Sequence, residues 1–332
     1  MDELLAGLKA IAETTRLRVL HVLSHGEFNV SELTQILGQS QPRVSRHLKL
    51  MTEAGLLSRH KEGSWVLFRL REEGAGGALA AKMAELLPTH DPILARDLAR
   101  IEAARHQRAE TAQLYFRNNA TNWEELRSLH VRDEDVEAAM MGLAGTENFG
   151  TLVDLGTGTG RILELLAPRA AQAIGIDSSR EMLAIARVKL EAGGHRNAQV
   201  RHGDVYALPL ANASADLVVV HQVLHYLDDP ARAVVEAARV LKPGGRMVVV
   251  DFAPHDHEHL RDEHAHRRLG IASELMAGWF TRAGFILQRH EVLPPPWLNG
   301  HTGLTVSLWL AQRVSKPEAV RSGRIIQLGD PA

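Results

Sequence analysis

The sequence contains no cysteine among its 332 residues. This absence excludes disulfide bonds, thiolate metal sites and cysteine nucleophiles. No apolar run approaches the length of about 18 residues that a membrane-spanning helix needs, so we expect no membrane partner. The acidic start at Met1–Leu5 has no signal-peptide layout, and together with the missing cysteines it leads us to expect a cytoplasmic protein.

Neither sign of charge dominates the chain as a whole. The formal net charge is −2, which by itself suggests no polyanionic partner. Hydrophobic residues make up 45% of the sequence and charged residues 23%, which is typical of a globular protein. The length is sufficient for two domains. Because a near-neutral total can hide a local patch, the charge has to be counted by segment.

The first seventy residues show the spacing of a helix-turn-helix motif. Residues 31–37 predict a short helix that stops at Gly38, and Ser40 is the predicted N-cap of a second helix that runs to about Ala54. The segment 58–70 predicts two strands around a turn. Such a strand pair after a helix-turn-helix would form a β-wing.

Basic residues concentrate in this region. Between Gly38 and Arg71, seven Lys or Arg residues stand against two acidic residues, a local formal net charge of +5. Phosphate neutralisation supplies most of the affinity of DNA-binding modules, so we predict a double-stranded DNA operator as partner. The alternative is a structural helical domain with a solvated basic face. The predicted DNA contacts lie on the second helix and the wing: Ser40, Gln41, Arg43, Ser45, Arg46, His47, Lys49, Arg59 and Lys61.

The segment Gln41-Pro-Arg-Val-Ser-Arg-His-Leu-Lys-Leu-Met-Thr-Glu-Ala-Gly-Leu-Leu, followed by the wing, resembles the core of ArsR-type winged helix-turn-helix repressors. The resemblance covers roughly residues 8–70 and implies a DNA-binding repressor. That family often senses metals through cysteine pairs. Because this sequence has no cysteine, the resemblance does not extend to thiolate metal sensing.

The second part of the chain is organised around Val153-Asp154-Leu155-Gly156-Thr157-Gly158-Thr159-Gly160. A short apolar strand before it and an apolar helical face after it form the first unit of a nucleotide-binding α/β sheet. A dinucleotide fingerprint that began at Gly156 would need glycine or alanine at Arg161, which does not fit. The pattern D-x-G-x-G-x-G resembles motif I of class I S-adenosylmethionine (SAM)-dependent methyltransferases. A purely structural glycine turn is the alternative.

Acidic residues, Asp177 and Asp204, end the next two predicted strands. Asp177 lies 21 positions after Gly156, where an acid hydrogen-bonds ribose hydroxyls in such folds, although an exposed strand-end acid is the alternative. The methyltransferase resemblance implies that Asp204 contacts the adenine amino group and that Val205 lines the ring. It also implies an α/β fold with a Rossmann-like sheet of about seven strands and with SAM or S-adenosylhomocysteine (SAH) as ligand. The predicted ligand contacts are Asp154, Gly156, Thr157, Gly158, Gly160, Asp177, Ser178, Met182, Asp204, Val205 and His221.

A connector separates these two parts. Gly74–Gly77 predicts a flexible break, and helical spacing then continues to about Arg117. This connector either forms a dimer seam, as terminal helices do in ArsR-type proteins, or packs on its own domain. We expect a homodimer. The predicted division is a winged helix-turn-helix domain at 1–72, a helical connector at 73–117 and a class I methyltransferase-like domain at 118–332.

No residue is assigned a catalytic role. His221, His225 and Tyr226 follow the fourth predicted strand and any of them offers a base, but a structural histidine is the favoured interpretation. The histidine-rich stretch 255–266 is interpreted as a solvated, polar helix start, so no metal is expected. The stretch resembles the post-strand segment of methyltransferases of ubiquinone and menaquinone synthesis, which borders their acceptor pocket.

Two functions follow from these patterns. The preferred one is a transcriptional regulator, a repressor, whose methyltransferase-like domain senses SAH or SAM. Its domain order resembles that of ArsR-type regulators that respond to SAH and control the methyl cycle. The alternative is an active SAM-dependent small-molecule methyltransferase with a DNA-binding appendage. The motifs do not choose between SAM and SAH, because both molecules share the ribose, adenine and amino-acid contacts.

Overall fold

The computed structural model describes most of the chain, namely residues 1–62, 65–71, 73–88, 90–123, 132–295, 297–298 and 301–314. The predicted turn of the wing lies in part outside these residues. Within the described ranges, no helix combines the length and the apolar character that crossing a bilayer requires.

The N-terminal part forms a winged helix-turn-helix, as the sequence predicts. Its four helices and three short strands enclose one apolar core. The strands form an antiparallel sheet in the order β1-β3-β2. The elements are α1 (Asp2–Ile11), α2 (Thr14–Ser24), β1 (Phe28–Asn29), α3 (Val30–Leu37), α4 (Gln41–Glu53), β2 (Leu57–Glu62) and β3 (Trp65–Leu70).

Local capping fixes the start and end of α3. The Asn29 side chain accepts a hydrogen bond from the backbone N–H of Glu32, and the Glu32 carboxylate accepts one from the backbone N–H of Asn29. This capping box satisfies two N–H groups that a helix start leaves unpaired. Gly38 ends α3 with a φ of +64°, a left-handed conformation that glycine adopts at little cost. Ser40 occupies the predicted N-cap position of α4, but its side chain makes no capping hydrogen bond.

The connector is helical almost throughout. It comprises α5 (Gly74–Leu86) and α6 (Pro92–Asn119), followed by one 3-10 turn (Ala120–Asn122). The flexible break predicted at Gly74–Gly77 is therefore wrong. Gly76 lies where a Cβ would overlap the carbonyl oxygen of Gly55, so close backbone packing explains the glycine there. At 1.5 Å per residue, α6 extends about 42 Å.

The remaining strands form the predicted seven-stranded sheet in the order β6-β5-β4-β7-β8-β12-β9. Strands β4 to β8 are parallel, and β12 pairs antiparallel with both β8 and β9. A separate two-stranded ribbon joins β10 (Trp297–Leu298) to β11 (His301–Thr302). The main strands are β4 (Phe149–Leu155), β5 (Ala170–Asp177), β6 (Ala198–His202), β7 (Ala215–His221), β8 (Leu241–Phe252), β9 (Phe285–Leu293) and β12 (Val306–Arg313).

Helices cover both faces of this sheet. Val218 and Val220 of β7 point into a core shared with α10 and α12, whereas Leu217 and Val219 point into a second core shared with α7 and α8. A parallel sheet buried on both faces needs such continuous apolar strands. The helices are α7 (Asp133–Ala144), α8 (Arg161–Leu166), α9 (Arg180–Ala192), α10 (Pro230–Val240), α11 (His259–Glu263) and α12 (Ser273–Arg282).

Candidate ligand pocket and nucleic-acid interface

The glycine loop connects β4 to α8 at the carboxyl edge of the sheet, between the central strands. All three glycines, Gly156, Gly158 and Gly160, have positive φ values of +71°, +51° and +87°. The backbone N–H groups of Gly156 and Thr157 donate to the carbonyl oxygen of Ile176 over 2.8 and 3.0 Å. Strand order reverses beside β4, and open α/β sheets bind ligands at such a switch point.

The Asp177 carboxylate is hydrogen-bonded to the backbone in the middle of this loop. Its Oδ2 accepts a hydrogen bond from the backbone N–H of Gly158 over 2.9 Å, and its Oδ1 accepts one from Ser179 over 2.8 Å. Burial raises the pKa of the Asp177 carboxyl, while these backbone donors oppose the shift. Each carboxylate oxygen has two lone pairs, so both can still accept a ligand hydroxyl. The arrangement fits a ribose at this position.

Asp154 lies beneath the loop and is completely buried. Neither carboxyl oxygen has a hydrogen-bond partner of normal geometry in the part of the chain that the structure describes. Burial raises the pKa of Asp154 to about 7, with the Thr157 hydroxyl opposing the shift and the charge of Asp177 adding to it. A buried carboxyl of this kind is a candidate functional group, because structural carboxyls are normally paired.

The other predicted ligand residues lie at the same edge of the sheet. Strand β6 ends at His202, so Asp204 and Val205 follow it in a turn instead of closing the strand as predicted. Asp204 Oδ1 accepts a hydrogen bond from the backbone N–H of Tyr206. His221 ends β7 and is 8% exposed. Ser178 is exposed beside the loop, whereas Met182 is buried in the first turn of α9.

Aromatic side chains lie next to the loop. A Cβ on Gly158 would lie 3.6 Å from Nε1 of Trp123. The ring of Phe116 packs edge-on against Trp123 and Tyr226, with centroid distances of 5.4 and 4.9 Å. Trp123 thus lies next to the loop, and Phe116 contacts Trp123.

A buried histidine–carboxylate pair lies deeper at the same edge. Nδ1 of His225 is 2.7 Å from Oδ1 of Asp251, and the two side chains are 1% and 0% exposed. The sequence pattern points to His225 but not to its partner Asp251. The two residues are 26 positions apart, and only the parallel pairing of β7 with β8 brings them together.

The histidine-rich stretch 255–266 is only partly solvated, which corrects the interpretation made from sequence. His266 is buried and stacks on Phe252 at a centroid distance of 5.7 Å. His264 is half-buried, and its Nδ1 lies 2.9 Å from the Tyr115 hydroxyl. Packing against aromatic rings therefore accounts for these two histidines. The described residues contain no group of three or more His, Cys, Asp or Glu side chains arranged to hold a metal ion.

The predicted DNA contacts form an almost continuous exposed surface on α4 and the wing. Val44, Leu48 and Met51 are the buried face of α4, so the opposite face is free to meet a groove. His47 differs, because its side chain is 12% exposed and its Nδ1 is 3.8 Å from the Glu13 carboxylate. Eight of the nine residues are exposed: Ser40, Gln41, Arg43, Ser45, Arg46, Lys49, Arg59 and Lys61.

Two family models match separate parts of the chain. The model described as bacterial regulatory protein, arsR family, matches residues 13–59, and the model described as methyltransferase domain matches residues 153–249. The first range contains α2, α3, α4 and the first three residues of β2, and the second runs from the last three residues of β4 through the glycine loop to most of β8. The first match agrees with the winged helix-turn-helix fold of the N-terminal part, and the second agrees with the parallel sheet and its glycine loop.

Curated relatives also match the two parts of the chain separately. The chain is 49% identical over 63 residues to the arsenical resistance operon repressor of Escherichia coli (strain K12), covering 19% of this chain and 54% of that protein. It is 41% identical over 107 residues to the demethylmenaquinone methyltransferase of Thermus thermophilus, covering 31% and 47%. The chain spans 28% to 54% of the length of curated relatives that it matches.

One solved structure supports the fold of the sheet. A chain from the complex of the Haloferax volcanii Trm112 methyltransferase activator aligns with a TM-score of 0.51 at 23% identity. The alignment covers 60% of this chain and 97% of that chain. At this identity the likeness concerns the fold alone.

Proposed function

We propose that this chain, which joins an ArsR-family helix-turn-helix to a methyltransferase domain, is a DNA-binding transcriptional regulator that senses SAH or SAM. We further propose that it acts as a repressor, in line with the arsenical resistance operon repressor that its first part resembles. Double-stranded operator DNA and the adenosyl ligand are the two partners. A protein with these partners works in the cytoplasm. The domain limits that we propose are 1–72, 73–117 and 118–332.

The observation that carries this proposal is direct contact between the two parts. Nη2 of Arg267 lies 2.8 Å from Oε1 of Glu32, the residue that caps α3. Nη1 of Arg268 lies 3.2 Å from Oε2 of Glu27. The backbone N–H groups of both arginines donate to the carbonyl oxygen of His225 over 2.9 Å. A rearrangement of residues beside the pocket can therefore be transmitted to the helix-turn-helix through these contacts.

The connector supplies a second route. The Arg18 guanidinium makes two hydrogen bonds, of 2.6 and 2.7 Å, to the buried carboxylate of Asp97 on α6. Arg100 of α6 donates to the carbonyl oxygen of Ile36 over 2.9 Å. The same helix carries Phe116, which borders the glycine loop through Trp123. Helix α6 thus connects α2 and α3 with the aromatic side chains beside the glycine loop. A shared structural element of this kind supports coupling, because both sites can then bias its state.

The pocket fits an adenosyl ligand by its chemistry. Gly158 has no side chain between the loop backbone and a ligand. Asp177 and Asp204 provide carboxylates at the carboxyl ends of β5 and β6. We propose that Asp177 accepts the ribose hydroxyls and that Asp204 accepts the adenine amino group. Val205 would line the adenine ring, and the loop from Asp154 to Gly160, with Ser178 and His221, would border the rest of the ligand. SAH is the preferred effector, because a sensor need not release a reaction product.

We propose a homodimer joined through the N-terminal helix and the connector. On α1, Leu4 and Leu8 are one helical turn apart and 40% and 44% exposed, and Leu86 at the end of α5 is 66% exposed. An exposed apolar pair on one helix face, as Leu4 and Leu8 form, favours burial against another surface. Sedimentation of the purified chain is expected to give a dimer, and Leu8→Glu is expected to shift it toward monomer. The matched control is Val235→Glu, at an exposed apolar position on α10.

The proposed function is tested by operator binding titrated separately with SAH and with SAM. We expect SAH to change operator affinity by roughly 1–3 kcal/mol, the usual size of an allosteric coupling. We also expect SAH to bind at least as tightly as SAM. Operator binding that neither ligand changes, together with turnover of SAM on a cellular acceptor, would favour the enzyme alternative.

A further inference from the structure

A cavity lies between the helix-turn-helix and the methyltransferase domain. Its volume is about 530 Å³, within the range of roughly 300–1,000 Å³ that small-molecule sites occupy. One wall is formed by the end of α2, by β3 and by α5, and the other by the start of α10 and by α12. The predicted adenosyl contacts lie instead at the carboxyl ends of β4 to β7. The cavity is therefore a separate space, with walls from both parts of the chain.

Apolar side chains form most of the cavity wall. Trp279 of α12 is one of them, and the Arg268 guanidinium lies 6.0 Å from the centroid of its ring. Such a wall suits the apolar body of an organic ligand better than a bare inorganic ion. The apolar residues of the wall include Leu23, Leu70, Ala84, Pro230, Ala231 and Trp279.

The guanidinium of Arg268 is incompletely hydrogen-bonded in this wall. Its Nη1 donates to Glu27 over 3.2 Å and its Nη2 to the carbonyl oxygen of Asp228 over 3.4 Å. Both bonds are longer than the usual charge-assisted bond of about 2.7–2.9 Å. Nε is buried and has no hydrogen-bond partner among the residues that the structure describes. Since a guanidinium carries five N–H donors, Arg268 can bind a further acceptor.

Glu27 is shared by three basic side chains. Its carboxylate lies 3.2 Å from Arg268, 3.4 Å from Arg69 and 3.7 Å from His60. Burial raises the pKa of Glu27, but these three neighbours lower it by more, so its pKa lies below the ordinary value. One ionised carboxylate thus serves several basic groups. Arg69, Arg268 and Arg282 all line the cavity, so a second anion would find positive charge there.

The other carboxylates of the wall already have partners. Asp228 lies 3.0 Å from Nε of Arg267, and Glu85 lies 2.8 Å from Nζ of Lys82. Asp229 caps α10, where it accepts a hydrogen bond from a backbone N–H over 3.1 Å. These groups are therefore engaged, and the wall favours an anionic ligand over a cationic one.

We propose that this cavity is a second ligand site, which takes an organic monoanion with an apolar body. The carboxylate or sulfonate of the ligand accepts hydrogen bonds from Arg268, while Arg69 and Arg282 add positive charge. The apolar body packs against Trp279 and Pro230. Because the walls come from both parts of the chain, an occupant binds and stabilises their docked arrangement. This site goes beyond the proposed function, since it needs no adenosyl ligand.

A pair of fluorescent probes tests this site on the full-length chain, with and without SAH. 8-Anilinonaphthalene-1-sulfonate carries the anionic group, whereas N-phenyl-1-naphthylamine has the same rings without it. We expect the wild-type chain to bind the sulfonate at least about tenfold more tightly, a difference of about 1.4 kcal/mol or more. SAH is not expected to displace the sulfonate, because the two sites are separate.

Two variants locate the bound probe. Ala231→Trp fills the cavity from α10 and is expected to lower sulfonate affinity at least about tenfold. Val235→Trp, one helical turn further along α10 at an exposed position, is the matched control. Arg268→Gln removes the charge but keeps a polar side chain, and it is expected to remove the preference for the sulfonate. Arg289→Gln, on β9, is its control.

Thermal unfolding checks that each variant folds. If Ala231→Trp does not fold, Ala84→Trp fills the cavity from the opposite wall on α5, and the same loss is expected. Equal affinity of the wild-type chain for the two probes, or sulfonate affinity that survives in a folded cavity-filling variant, would overturn the proposal. Competitive displacement of the sulfonate by SAH would also overturn it. SAH affinity is a separate readout, so failure of the adenosyl site is distinguishable from failure of this one.

Discussion

Arg267 and Glu32 are 235 positions apart in the chain, yet their side chains meet at 2.8 Å between the helix-turn-helix and the sheet. Arg267 also holds Asp228, with 3.0 Å between Nε and Oδ1. The same Glu32 carboxylate accepts the hydrogen bond from Asn29 that completes the N-terminal cap of α3. One guanidinium thus connects the segment after the pocket to the start of the helix-turn-helix.

The first prediction concerns this contact. Arg267→Gln is expected to reduce the effect of SAH on operator affinity to less than half its wild-type size, because the charge that joins the two parts is lost. Affinities for SAH alone and for operator alone are expected to change by less than about threefold. Arg289→Gln, which removes an exposed arginine paired with Glu291 on β9, is the control. An undiminished SAH effect in the Arg267 variant would rule this contact out as the route.

The second prediction concerns the DNA surface. Arg43→Ala is expected to relax sequence preference, because an exposed side chain in the first turn of α4 is positioned for base edges. Lys61→Ala on the wing is expected to weaken binding to all sequences alike and to reduce the salt slope by about 1. Gel shifts over a salt series with specific and scrambled duplexes measure both effects. Lys82→Ala, on an exposed face of α5, is the control. If neither variant alters binding, DNA is not the partner of this surface.

The third prediction concerns the glycine loop. Gly158→Arg is expected to abolish SAH binding, because the new side chain would enter the space between the loop and Trp123 and occupy the ligand side. Gly194→Arg is the matched control, since Gly194 has a similar positive φ of +71° and nothing lies within 4 Å of its added Cβ. Both substitutions carry the strain of a left-handed conformation, so their stabilities should fall alike. Calorimetry that finds unchanged SAH affinity in the Gly158 variant would contradict the site assignment.

The fourth prediction concerns pH. The pKa of Asp154 rises from 3.8 to about 7 on folding, because the carboxyl is buried. Below about pH 4 the carboxyl is neutral in both the folded and the unfolded state. Between about pH 4 and 7 only the unfolded chain loses the proton, so the contribution of Asp154 to the free energy of unfolding falls as pH rises. A shift of about three units corresponds to a decrease on the order of 4 kcal/mol.

Asp154→Asn removes this titration. Relative to the Asn variant, the wild-type free energy of unfolding is expected to fall from pH 4 to 7 and to level off above pH 7. Urea unfolding of the ligand-free chain at several pH values measures the difference. A difference that stays constant over this range would mean that the carboxyl is not held in its neutral form by burial.

Much of the fold follows from local sequence patterns. The glycine loop, the apolar strands around it and the capping signals near α3 and α4 each act over a few residues, and the structure confirms the elements that they predict. The exposed positions of α4 were also predictable, because Val44, Leu48 and Met51 repeat with helical spacing and define its buried face. Such patterns place the candidate ligand residues at the carboxyl edge of the sheet.

Contacts between distant segments could not be read in the same way. The pairing of His225 with Asp251 depends on how β7 and β8 align, and the contact of Arg267 with Glu32 depends on how the two parts dock. The helical Gly74–Gly77 segment was mispredicted for a related reason, since the backbone of Gly55 that packs against Gly76 is 21 residues away. Periodicity reports which face of an element is buried, but not which segment buries it.

If the adenosyl pocket and the DNA surface are coupled, thermodynamic linkage requires each ligand to change the affinity for the other. The measurement is the affinity of the full-length chain for SAH, with and without saturating operator DNA, at one fixed salt concentration. We expect operator DNA to change SAH affinity by the same factor by which SAH changes operator affinity, roughly 5- to 150-fold. Equal SAH affinities with and without operator would contradict it, because the two parts would then only share a polypeptide.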